Sequence, residues 1–225
     1  MVIFPNNGKF ERVILSKGES YSLSSAGKEI VVVLIGGKIR IDDLTLSRQS
    51  VFKDSAKGLC VANAASLEIE ALKDSNLCII GTNSSARVEM AYLHSPSCMS
   101  VGTFNTAREV CRLADNLSGL ENLIVGETIS PPGNWSSWPP HKHDTYSPNE
   151  ESAQEEVYFY KFSNLQGFGI QMLEDRVFIV RENEEIKIEK GHHPVVSSPY
   201  SQMYYLWALY GDNSFFKARY EGEIK

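Results

Sequence analysis

Three short segments carry residues whose types and spacing can do chemistry: GNWSSWPPHKHD (Gly133 to Asp144), EEVYFYKF (Glu155 to Phe162) and KGHHPV (Lys190 to Val195). His141 and His143 stand at i and i+2, so in an extended strand both imidazoles leave the same face, roughly 6 to 7 Å apart at the backbone. Two such rings can close on one ion. A carboxylate opening the next strand, Glu156, and a histidine after a glycine turn, His193, would complete three nitrogens and one oxygen. That set suits a divalent transition metal and leaves coordination positions for a substrate. A lone HxH is a weak signal, because two exposed strand histidines look the same. Here, apart from His94, every histidine of the chain falls in these segments, flanked by proline and glycine.

The elements that must hold these residues read as short strands: ERVILSKG, EIVVVLIGGKIRI, SLEIEAL, LCIIGT, NLIVGETI, EVYFYKF, GFGIQML, RVFIVRE, EEIKIEKG and MYYLWALYG. β-branched and aromatic residues fill them, and Gly, Asn, Asp or Ser bound them. The best helix or irregular connector is NTAREVCRLADNLSGLENLI, where Val110, Leu113 and Leu117 recur at roughly helical spacing. The turn-rich stretch SPSCMSVGTFNT places a boundary near residue 100, giving domains 1–100 and 101–225. An internal echo suggests two copies of one fold. KEIVVVLIGGKIRI reads as strand, glycine turn and strand, and EEVYFYKFSNLQGFGIQML repeats that order with a longer turn. The first copy keeps Glu29 at its strand start but has no histidine counterpart, so its expected role is scaffold, oligomer contact or pocket wall.

Composition bounds the partners. The 225-residue chain has a formal net charge of −6 and no lysine or arginine run, which argues against a sequence-independent grip on nucleic acid. Cys60, Cys78, Cys98 and Cys111 are unevenly spaced without a CxxC pair, which reads as reduced thiols in a cytoplasmic protein. The start lacks a basic stretch followed by a sustained apolar one, and no later segment has the apolar length to cross a bilayer, so the expectation is a soluble protein without a membrane partner.

The second half resembles the cupin superfamily and, more closely, the 5-deoxyglucuronate isomerase branch of the KduI/IolB isomerase family, which acts in inositol catabolism. The resemblance rests on the Gly133 to Asp144 block, the Glu156 to Tyr160 strand, the Gln166 to Gln171 run, His193 to Val195 and Tyr204 to Leu206. It covers roughly Gly126 to Gly211; the N-terminal half and the connector with Arg108 match loosely. The chain is shorter than the family pattern, and its usual Gly-Tyr-His-Pro turn is Gly-His-His-Pro through His192. The resemblance implies an all-β bicupin of two small antiparallel jelly-roll barrels, the second holding a divalent metal. Zinc is the first choice, with manganese, iron or nickel open, and a homo-oligomer is expected. His141, His143, Glu156 and His193 are its implied ligands.

Strand alternation extends this picture. Glu155 and Glu156 are adjacent, so only one can face inward, and the family selects Glu156. Tyr158 and Tyr160 then share its face as hydrogen-bond partners or proton relays, while each is equally readable as a core tyrosine. Lys142 lies between two ligands and should point away, and His192 should face opposite His193. Gln171 shares a face with Gly167 and Gly169, which leaves room beside a polar amide. The implied reaction moves a proton between neighbouring carbons, converting the aldose 5-deoxyglucuronate to the ketose 2-deoxy-5-ketogluconate through an enediolate whose charge a metal offsets. The distant carboxylate of this sugar acid needs a cation, for which Lys142, Arg176 and Arg181 are candidates. Competing readings are an isomerase of the 4-deoxy-5-keto uronate, a cupin oxygenase revealed by oxygen uptake, and a bicupin that binds a sugar acid without turnover.

Overall fold

The computed structural model describes residues 2–4, 7–64, 66–93 and 97–221; His94 and the first two residues of the turn-rich stretch at 95–106 lie outside them. Among the described residues strands are joined by turns and short 3-10 segments, with no α-helix, and no helix is long and apolar enough to cross a membrane. The chain divides into two compact units: Met1–Pro96 with Leu113–Val125, and Ser97–Arg112 with Gly126–Lys225.

The first unit holds β1 (Val2–Phe4), β2 (Gly8–Leu15), β3 (Ser20–Ser24), β4 (Lys28–Ile41), β5 (Leu44–Arg48), β6 (Lys57–Ala62), β7 (Ser66–Asn83) and β8 (Val88–Tyr92). They form one antiparallel sheet in the order β1-β2-β7-β4-β6-β8, with β3 added to β7 and β5 to β4. The apolar run in β4 is continuous because both of its faces are covered. Ile30, Val32 and Leu34 join a core with Ile39, Leu59 and Ile69, while Val31, Val33 and Ile35 are buried on the opposite face. Glu29, also buried, accepts the backbone N–H groups of Glu121 (2.8 Å) and Asn122 (2.7 Å), so it ties down a turn of its own unit.

The second unit contributes β9 (Ser97–Val101), most of β10 (Arg108–Ala114) and of β11 (Leu123–Ser130), β12 (Trp135–Ser136), β13 (His141–Lys142), β14 (Asp144–Ser147) and β15 (Glu151–Ala153). It continues through β16 (Glu155–Phe162), β17 (Gly169–Leu173), β18 (Arg176–Val180), β19 (Glu185–Ile188), β20 (Val195–Ser197), β21 (Met203–Tyr210) and β22 (Arg219–Tyr220). A six-stranded sheet runs β19-β16-β21-β11-β10-β9 and a four-stranded sheet runs β12-β20-β17-β18. Tyr158, Tyr160 and Tyr205 from the first meet Leu173, Val180 and Val195 from the second in one core. Each sheet thereby hides its apolar face against the other.

Five sequence expectations are corrected. The Gly36-Gly37 pair does not turn the chain: β4 is one 14-residue strand, and the glycines are absorbed as register shifts against β7. SLEIEAL and LCIIGT likewise fuse into β7. The proposed echo therefore breaks at its centre, because the matching run in the second half splits into β16 and β17 of different sheets. The helix or connector expected at 105–124 is mainly the two strands β10 and β11 with a 3-10 turn, Asn116–Ser118, capped by Asp115. Leu117, which gave the run its helical period, is exposed, and the alternating Cys111 and Leu113 are the buried residues. Cys98 and Cys111 stand opposite each other in the β9–β10 register, Cα atoms 4.0 Å apart, and are joined by a disulfide. The cysteine argument for a reducing compartment then rests on Cys60 and Cys78, which are free and buried.

Gly37 shows why the bend needs glycine. Its φ is +112°, and a Cβ there would lie 2.5 Å from the Asp74 carbonyl oxygen and 2.6 Å from Ser75 Cα, both backbone atoms that cannot swing aside. Gly37→Ala is expected to destabilise the protein by about 2 kcal/mol or more, read as a lower urea midpoint at unchanged slope. An unchanged midpoint would show that β4 does not depend on this bend.

Candidate metal centre

His141 opens β13, His143 follows it, Glu156 is the second residue of β16, and His193 sits in the turn between β19 and β20. The fold brings them to one place. The ligating atoms of the three histidines lie within 4.8 Å of one another. Glu156 Oε2 is 3.2 Å from Nε2 of both His143 and His193. His193 is fully buried, and His143 and Glu156 nearly so.

Backbone carbonyls fix the rings. Nδ1 of His141 faces Pro139 O at 3.0 Å, that of His143 faces Gln154 O at 3.1 Å, and that of His193 faces Gly191 O at 2.9 Å. A carbonyl only accepts, so Nδ1 donates in each case and Nε2 turns toward the cluster, where that of His143 hydrogen-bonds Glu156 Oε2 at 3.2 Å. His193 Nε2 is buried with no aligned hydrogen bond, its 3.2 Å approach to Glu156 notwithstanding. Imidazole nitrogens facing a carboxylate at that distance need a positive charge, a proton or a metal ion, between them. These residues fit a divalent metal: three imidazole nitrogens and one carboxylate, each imidazole oriented by an outer hydrogen bond.

The electrostatics agree. Burial, aided by His193, pushes the His141 imidazole down to about 4, which keeps it neutral. Burial alone would raise Glu156, but His143 and His193 outweigh it and hold the carboxyl well below its ordinary value. Burial likewise opposes protonation of His143, and Glu156 reverses the balance, so its net shift is upward.

A cavity of about 220 Å³ opens beside this cluster. Glu156 and Tyr158 reach it from β16, Tyr205 and Trp207 from β21, and Thr128 from β11. Arg108, Val110 and Arg112, alternate residues of β10, line its far wall. Gly126, two residues before Thr128, leaves space for the Trp207 ring, which a Cβ would meet at 2.1 Å. The C-terminal segment covers part of the opening. β22 pairs with β13, placing Tyr220 opposite His141, and Phe216 lies 5.8 Å from the His143 ring.

The remaining sequence candidates separate. Tyr158 lines the cavity, its hydroxyl 2.7 Å from Ser137 Oγ. Tyr160 does not: it is fully buried and donates to Gln171 Oε1. Gln171 in turn donates to Met172 O (2.7 Å) and His193 O (2.8 Å), so its amide supports the His193 turn rather than the cavity. Lys142 points away from the cluster and bridges Asp144 (2.7 Å) and Glu151 (2.9 Å). Arg176 packs over Phe178, and neither it nor Arg181 is among the cavity residues. His192 faces Glu174 at 3.4 Å. Arg108 and Arg112, Ser137, Phe216 and Tyr220 were not singled out as site residues by sequence. The R-x-V-x-R alternation was the available signal, hidden by reading that run as a helix or connector.

The fold and this histidine and carboxylate cluster together define a cupin-like protein. A cupin 2 conserved barrel domain protein from Leptotrichia buccalis shares the fold with a TM-score of 0.57 at 17% identity, over 93% of this chain and 86% of that one. More specifically, the chain belongs to the KduI/IolB family, whose model matches residues 6–223. A 5-deoxy-glucuronate isomerase from Halalkalibacterium halodurans is 30% identical over 224 residues, 92% of this chain and 83% of the relative. An IolB-like protein from Salmonella typhimurium superposes with a TM-score of 0.88 at 25% identity, over 95% of this chain and 87% of that one.

Asp144 joins the two histidine segments: its Oδ2 accepts the Gly191 N–H at 2.6 Å, and Gly191 O holds the His193 ring. Asp144→Ala should therefore weaken zinc binding by roughly 10- to 100-fold, while His192→Ala leaves it within about twofold. Competition against a chromophoric chelator measures both. Wild-type affinity in Asp144→Ala would show that the turn holds His193 unaided.

Proposed function

We propose that this protein is a metal-dependent intramolecular oxidoreductase that isomerises 5-deoxy-glucuronate to 2-deoxy-5-keto-gluconate in inositol catabolism. The observation that carries the reading is the buried convergence of His141, His143, His193 and Glu156 beside a small cavity, in a member of this family. The four side chains would hold the ion, with zinc the first choice. When bound, the ion supplies Lewis acidity toward a carbonyl and its neighbouring hydroxyl.

The chain's own residues do the rest. Burial and the Glu156 charge push the Tyr158 phenol well above its ordinary value, so it keeps its proton. Tyr158 thus serves as a hydrogen-bond donor or, paired with Ser137, as a relay for the hydroxyl proton that passes to the former carbonyl oxygen, giving up its own proton as it accepts the next. Tyr160, equally raised by burial, acts through Gln171 on the His193 turn. Phe216 and Tyr220 limit water at the opening. The reaction conserves atoms: one C–H bond breaks, one forms on the adjacent carbon, and the hydroxyl proton passes to the former carbonyl oxygen.

The wider reading is a bicupin of two small jelly-roll barrels, the first serving as scaffold, assembled as a homo-oligomer. Light scattering on the purified protein checks the assembly, and a monomer at working concentration would remove it.

Isomerisation is tested by proton NMR of the metal-replete protein in deuterated water with 5-deoxy-glucuronate, the 4-deoxy-5-keto uronate running in parallel. Conversion with deuterium at the new hydroxymethyl carbon is expected, and it should stop after chelation. Conversion of only the second compound, or of neither, would overturn the assignment. Tyr158→Phe should lower kcat by about 100-fold with metal content intact. A wild-type rate would exclude the relay.

A further inference from the structure

Resting on the sugar-acid reading above, we infer that Arg108 and Arg112 form the subsite for the substrate's carboxylate. The sugar acid then lies across the six-stranded sheet, with its reacting end at the histidine cluster and its anionic end on β10.

The sheet order sets the span. Glu156 on β16 and the arginines on β10 are separated by β21 and β11, three inter-strand steps or roughly 14 Å of backbone. A six-carbon acid plus an arginine side chain bridges that distance, and a cavity of about 220 Å³ admits a small metabolite. Strand alternation points both guanidinium-bearing residues the same way: Arg108, Val110 and Arg112 share one face of β10, and all three line the cavity.

Arg108 is also held in register with the cluster. Its guanidinium donates to Thr106 O at 2.8 Å and Trp138 O at 3.1 Å. The next carbonyl along the chain, Pro139 O, accepts from His141 Nδ1. One short segment therefore fixes both a cation and a cluster histidine. Two of the five guanidinium N–H donors are used, which leaves a fork for a carboxylate.

Charge favours the same occupant. The chain's formal net charge is −6, yet among the described residues lining the cavity the fixed charges are Arg108 and Arg112 against Glu156 alone. An acidic protein with a cationic cavity wall selects a small anion over a neutral sugar. Of the cations that the sequence offered, Lys142 bridges Asp144 and Glu151, and Arg176 packs over Phe178 outside the cavity lining.

The experiment compares binding of gluconate and of glucitol, its uncharged counterpart, to the metal-replete protein by calorimetry, with metal content measured alongside. Wild type should prefer gluconate by at least about 10-fold. Arg108→Gln and Arg112→Gln should each cut that preference by about 10-fold or more, and Arg108→Lys should restore only part of it. The subsite is overturned if wild type binds both compounds equally. It is also overturned if the preference survives in both glutamine variants, or if glucitol binding falls in step with gluconate binding. Arg112 is exposed, so its variant stays informative if Arg108→Gln folds poorly. Failure of wild type to turn over the uronate would sink the isomerase reading, while the binding comparison would still decide the subsite.

Discussion

Three imidazole nitrogens and a carboxylate oxygen turned toward one buried point repel each other unless something positive sits among them. That constraint organises the second unit. Each histidine is locked from behind by a carbonyl of a different stretch of chain, Pro139, Gln154 and Gly191. None can rotate away to relieve the repulsion without leaving a buried N–H unpaired. Gln171 and Asp144 then fasten the turn that carries His193, one from the four-stranded sheet and one from the HKHD strand. The support for the cluster is thus spread over the unit, as a pre-organised site requires.

The surroundings follow from that demand. A tyrosine-rich layer, Tyr158, Tyr160 and Tyr205, packs between the cluster and the core, with ring centroids 4.5 to 6.1 Å apart. Their rings supply apolar bulk while their hydroxyls find Ser137, Gln171 and Ser136. Leucines would bury comparable area but would leave those three polar partners unmet. The layer joins a dry core to a polar site without orphaned groups. It also fixes Ser137 and Gln171, whose neighbours and partners belong to the histidine segments.

Much of the site was legible because it obeys strand alternation. A period of two puts His141 and His143 on one face, turns Lys142 away and sets His192 opposite His193. It allows only one of Glu155 and Glu156 to face inward, and the choice of Glu156 came from the family resemblance. The elements were legible where one face alternates and less so where both are buried. The continuous apolar run of β4 cannot show that Gly36-Gly37 is a bend within a strand, because a turn and a register shift have the same local residues. At 105–124, Leu113 fits both a helical and an extended period, and only pairing with β9 and β11 decides between them. The Cys98–Cys111 bond was hidden for the same reason, since it depends on a hairpin register that spacing does not encode.

Cation placement was the least legible part, and the reason is geometric. Lys142 was one of three unranked candidates, yet a residue between two inward-facing histidines is on the outer face by necessity. Its ammonium there meets Asp144 and Glu151. The cations that reach the cavity come from β10, about thirty residues before His141 in the chain and three strands from Glu156 in the sheet. A substrate lying across a sheet is met by residues at one height on successive strands, not by neighbours in sequence. In an antiparallel sheet with crossovers those residues come from scattered segments. The strand order is therefore what converts a list of arginines into a wall opposite the histidine and carboxylate cluster.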